Sequence, residues 1–141
     1  MVHALDEIRR VLKPIGFLID LRPVEANWPV EVSSSTGDQV VGRLTDLPVA
    51  LADDEAAFKA MREAESRNWF IKEKEEEFDF FYYWDTPSEM KEFMDTEWED
   101  FEKLEEHVFE AVKSAWAVAN ADARIRVRVK MLITKWDKWW V

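Results

Sequence analysis

The chain of 141 residues contains no cysteine. That excludes a disulfide framework, a zinc–thiolate centre and a thiol nucleophile. Glycine is scarce: Gly16, Gly37 and Gly42 are the only three, and no two of them form a Gly-x-Gly. A nucleotide-binding turn needs glycines so that backbone amides can approach the ligand closely, so no cofactor residue is expected. Histidine occurs twice, as His3 and His107. A Glu-x-x-His pair would need glutamate where Leu104 stands, so both histidines read as surface residues and no metal site is expected. No apolar run approaches the roughly 18 residues of a membrane-spanning helix, and no signal peptide is expected. The expectation is a cytoplasmic protein with no membrane partner. Bases are outnumbered 19 to 30, for a formal net charge of −11. Phosphate backbones are held by basic patches, so nucleic acid is not an expected partner.

What is present is globular in composition, with 48% hydrophobic and 35% charged residues. The length fits one domain over 1–141. Charge is unevenly spread. Leu51 to Glu110 carries 21 acids and 7 bases, whereas Ala121 to Val141 carries 6 bases and 2 acids.

Periodicity assigns the elements. Val2, Leu5, Ile8, Val11 and Leu12 repeat at helical spacing up to Pro14. Phe17, Leu18, Ile19 and Leu21 read as a short buried strand. Val30 and Val32, then Val40 and Val41, flank a loose hairpin turn over Ser33 to Asp38. Asp53 and Asp54 are placed to cap a helix that turns Ala57, Phe58, Met61 and Ala64 inward. From Ile71 to Trp84 apolar Phe78, Phe80, Tyr82 and Trp84 alternate with Glu73, Glu75, Glu77 and Asp79, so a strand with one apolar and one charged face is expected. Thr86-Pro87-Ser88-Glu89 opens a helix as a capping box with proline at the first helical position, and Met90, Phe93 and Met94 form its inner side. A longer helix is expected to carry Phe101, Leu104, Val108, Val112 and Ala119 on one stripe. In the last strand Ile125, Val127, Val129, Met131 and Ile133 face one way, and Arg124, Arg126, Arg128 and Lys130 the other. This basic row is expected to pair with the acidic row of Ile71 to Trp84 across adjacent antiparallel strands. The fold class is therefore α+β, a small, mostly antiparallel (mixed) sheet with helices packed on one face.

Two segments carry a family resemblance. Leu5-Asp6-Glu7-Ile8-Arg9-Arg10-Val11-Leu12-Lys13-Pro14-Ile15-Gly16-Phe17-Leu18-Ile19-Asp20 resembles the class I S-adenosylmethionine-dependent methyltransferases, where a helix and a Lys-Pro-Gly-Gly turn precede the fifth strand. Ile15 stands at the first glycine of that turn. The final strand, ending Met131-Leu132-Ile133-Thr134-Lys135-Trp136, looks like the family's last strand, which runs antiparallel between strands five and six. The resemblance implies that Ile71 to Trp84 is strand six, and that the chain corresponds to the C-terminal half of such an enzyme, without the half that binds the cofactor.

Motifs for other chemistries fail at their key positions. Gly37 to Leu44 follows a phosphate-loop spacing, but Arg43 replaces the lysine and Leu44 the magnesium-holding hydroxyl. No Gly-x-Ser-x-Gly elbow supports a serine triad. The expected function is thus a non-catalytic, methyltransferase-like module acting as a homodimer or in a larger assembly; a split methyltransferase, with its other half on a separate chain, is the less favoured form. The alternative is a small-molecule binding protein whose aromatic, acidic pocket holds an organic cation. Its candidate residues are Phe80, Tyr82, Trp84 and Trp98. Trp139 and Trp140 offer further apolar area for self-association.

Overall fold

The computed structural model describes residues 1–139. Trp140 lies outside the described residues. The elements run in the order α1 (Val2–Val11), β1 (Phe17–Pro23), β2 (Pro29–Ser34), β3 (Gly37–Arg43), β4 (Thr45–Asp46), α2 (Pro48–Ser66), β5 (Phe70–Trp84), α3 (Pro87–Glu97), β6 (Glu102–Lys103), α4 (Glu106–Ala117) and β7 (Arg124–Lys138). Helices and mostly antiparallel sheets make this an α+β fold. Two compact units are present. One comprises 1–24, 52–78 and 131 onward; the other comprises 25–51 and 79–130. The long strands β5 and β7 contribute residues to both.

In the first unit β1 pairs antiparallel with β7, from Phe17 opposite Asp137 to Pro23 opposite Met131. β5 also pairs with β7, and here Glu75 accepts a hydrogen bond from Thr134 while Glu73 meets Lys135. α1 and α2 cover one side. α2 presents Ala57, Ala60, Met61 and Ala64 at helical spacing, and the last three enclose a core with Leu5, Phe70 and Trp136. α1 ends ahead of Pro14, and the Lys138 Nζ donates to the Leu12 carbonyl just past its last turn. α2 begins at Pro48 rather than at Asp53 and Asp54, because proline suits the first helical position. The two aspartates lie inside the helix.

β1 departs from the buried strand expected of its sequence. Leu18, Asp20 and Arg22 are half-buried, but Phe17, Ile19 and Leu21 are 53%, 46% and 54% exposed. Only the even face lies against the core of its unit. β7 keeps its period-two burial but changes phase. Ile125, Val127 and Val129 are buried in one unit, and Leu132, Thr134 and Trp136 in the other, so Met131 and Ile133 do not continue the first row.

In the second unit β2 lies between β7 and β3, antiparallel to both. Val30 and Val32 sit opposite Val127 and Ile125, and all four are buried. The hairpin turn is tighter than expected, since Ser34 pairs with Gly37, whose φ of +134° is open to glycine without strain. α4 packs on this hairpin so closely that a Cβ on Gly42 would stand 2.7 Å from Val108 Cγ1. α4 is shorter than its stripe suggested. Phe101 is exposed, and residues 102–103 form β6, which pairs with β4. α3 starts as its sequence dictates. Thr86 Oγ1 accepts from the Glu89 N–H, Glu89 Oε2 accepts from the Asp85 N–H, and Met90 and Met94 are buried beneath.

Arg124, Arg126 and Arg128 of the basic row of β7 find other partners than expected. Arg126 donates to Glu31 and to the Tyr83 hydroxyl and lies over the Phe81 ring, while Arg124 lies over Tyr83. Glu31, opposite Arg126 on β2, is buried and also meets Arg128 at 3.0 Å. The cause is register. The N-terminal half of β7 faces the aromatic end of β5, so its acidic partner comes from β2.

Candidate functional site

The second unit holds both features with chemical potential. The first is aromatic. Phe80, Tyr82 and Trp84 share one face of β5 through the strand period. Trp98 arrives from the residue that ends α3. Tyr82 and Trp98 meet edge-on with centroids 5.0 Å apart, Tyr82 stacks with Trp84 at 6.2 Å, and Phe80 meets Tyr82 at 5.3 Å. The four residues expected to act together therefore do lie together. Two rings join them that were not assigned to a site. Phe93 on α3 lies 5.3–5.9 Å from Tyr82, Trp84 and Trp98, and buried Trp28 lies 5.5 Å from Trp98. Phe93 was legible as an inward helix position; nothing near Trp28 in the sequence tied it to Trp98.

The cluster is not a closed core. Phe80 is 49% exposed, and Tyr82, Trp84, Phe93 and Trp98 are half-buried. Edge-on and tilted contacts of this kind each contribute about 0.5–1.5 kcal/mol beyond area burial. The chain that supplies them is acidic, with Asp85, Glu89, Glu92, Asp95, Glu97, Glu99 and Asp100 against Lys91 between Phe80 and Phe101.

The second feature is a carboxylate cluster. β4 pairs with β6 so that Asp46 stands opposite Glu102, and Glu25 comes from the segment after β1. Oxygens of the three carboxylates lie within 4.8 Å of one another. Asp46 is oriented by Asn27, whose N–H donates to both of its oxygens at 3.2 and 3.1 Å and whose Oδ1 accepts from the Asp46 N–H. Asn27 adopts a left-handed backbone with φ of 47°, which asparagine tolerates better than most residues. The Glu102 N–H donates to the Trp98 carbonyl, so the carboxylates adjoin the aromatic cluster along the chain. Glu102 is only 4% exposed. Burial, then the neighbouring Glu25 and Asp46 carboxylates, push its pKa up to about 10. These three residues are far apart in sequence and carry no motif, and no metal site was expected from the sequence.

His3 and His107 are exposed. The Gly37 to Leu44 segment forms β3 and the residue after it, not a phosphate-binding turn before a helix. No protein-family model, no curated protein and no solved structure matches the chain.

Proposed function

We propose that the chain is a non-catalytic, methyltransferase-like module that acts as a homodimer or within a larger assembly. The observation that carries this reading is the apolar stripe of β1. Phe17, Ile19 and Leu21 are exposed on one face, and among the described residues β1 is paired along one edge only, to β7. An edge strand with an apolar face is a template for pairing with another chain. The surroundings of β1 support the likeness. A helix and a Lys13-Pro14 turn precede it, and β7 runs antiparallel beside it with β5 also paired to β7. The 141 residues contain no Gly-x-Gly turn, so they offer no backbone cradle for the cofactor. Titration of the chain with S-adenosylmethionine in a calorimeter tests the non-catalytic part: no saturable heat is expected, and a stoichiometric low-micromolar Kd overturns it.

A second reading, binding of an organic cation, is favoured by the half-exposed aromatic cluster on an acidic stretch of chain. Ring faces attract cations through their quadrupoles, by about 0.5–2 kcal/mol per contact. Aromatic or quaternary ammonium cations are expected to quench tryptophan fluorescence saturably, where matched neutral and anionic compounds do not. Equal, weak quenching by all three leaves the rings as packing alone.

A further inference from the structure

We propose that Glu25, Asp46 and Glu102 form a binding site for a hard divalent cation of the calcium class. Two observations meet here. The first is convergence: three carboxylates from three separate segments place oxygens within 4.8 Å of one another. Calcium takes oxygen ligands at about 2.3–2.6 Å, so two ligands on one ion stand up to about 5 Å apart. The smaller magnesium ion, at about 2.0–2.1 Å, fits the wider separations less well. The donor set has no nitrogen or sulfur, which disfavours zinc and copper.

The second observation is Glu102 itself. Its side chain is more than nine-tenths buried, both oxygens are shielded from solvent, and neither accepts a hydrogen bond from any described residue. It points instead at two other carboxylates, which are acceptors like itself. A buried carboxylate without a donor is costly unless a proton or a cation neutralises it. A divalent cation at the point of convergence neutralises Glu102 and takes oxygens from all three carboxylates.

The site is also accessible and oriented. Glu25 and Asp46 are half-buried, so an ion enters from their side and completes its shell with water. The Asn27 N–H fixes the Asp46 carboxylate in place, as outer-shell donors do for metal-ligating groups. This inference is independent of the methyltransferase likeness and of the organic-cation reading.

The test uses the full chain and two probes, calcium chloride and terbium chloride. Terbium takes calcium sites and emits when a nearby tryptophan is excited. Trp28 follows Asn27 in the chain, and Trp98 is held to Glu102 through its backbone, so both are donors for this transfer. The expected result is saturable, one-site terbium emission that calcium displaces. Glu102→Gln and, separately, the half-buried Glu25→Gln are expected to lower calcium affinity at least tenfold while circular dichroism stays native. No saturable calcium or terbium binding to the wild type overturns the proposal. So does binding of unchanged affinity in a folded Glu102→Gln or Glu25→Gln variant, which assigns the ion to other surface acids.

Discussion

Replacing Glu102 by glutamine should change how the stability of the protein depends on pH. In the folded chain the Glu102 carboxyl holds its proton up to about pH 10, against 4.5 for the unperturbed group. The sign follows from linkage. The folded state binds the proton more tightly than the unfolded state, so the stabilisation is complete below pH 4.5 and is lost as pH rises toward 10. Each pH unit within that window lowers the folding constant about tenfold. From pH 6 to pH 8 the loss is about 3 kcal/mol, a large part of the roughly 5–15 kcal/mol that stabilises a typical domain. Glutamine has nearly the same shape, no proton to lose and an amide that can donate to a neighbouring carboxylate. Urea unfolding at several pH values, in chelator so that no cation replaces the proton, gives the comparison. The wild type is expected to weaken relative to Glu102→Gln by this amount between pH 6 and 8, with Glu102→Gln the more stable protein at pH 8. Parallel pH profiles for the two proteins would refute the buried-carboxyl account.

Other expectations follow from single contacts. Gly42→Ala forces a Cβ to 2.7 Å from Val108 Cγ1, so it should destabilise the chain by about 1–3 kcal/mol, and Val108→Ala in the same chain should recover part of that loss in chemical denaturation. Glu31→Ala removes the buried partner of Arg126 and Arg128 while Arg126 keeps Asp38 and Tyr83, so it should cost about 1–3 kcal/mol, read by the same assay. Trp98→Ala removes the ring that contacts Trp28, Tyr82, Trp84 and Phe93, so any selective fluorescence response to organic cations should fall at least tenfold in affinity.

Where local chemistry alone decides, the sequence was legible. The capping box at Thr86, the proline that ends α1 and the long strands β5 and β7 all appear where their residues put them. The misses have a common cause, because each depends on what another segment covers. Phe17, Ile19 and Leu21 read as buried because a run of apolar residues implies two covered faces, and only one is covered within their unit. Met131 and Ile133 continue the alternation of β7 in sequence, yet the covered face changes phase beyond Val129. Arg126 and Arg128 meet Glu31 on β2, because strand alternation gives a face but not a register, and register sets Glu31 opposite Arg126. The clustering of the rings was legible because β5 supplies three of them at alternate positions. The carboxylate cluster was not, since a two-residue strand pair and a loop bring its members together from positions 25, 46 and 102.

The proposed function turns on whether the β1 stripe seeks a partner, and molar mass measured by light scattering at micromolar concentration addresses that directly. A dimer of twice the 16.7 kDa chain mass is the expected result for the wild type, and Ile19→Lys, which places a charge on the exposed face of the edge strand, should return a mass of 16.7 kDa. A wild-type mass of 16.7 kDa, or a dimer that Ile19→Lys leaves intact, would contradict the account.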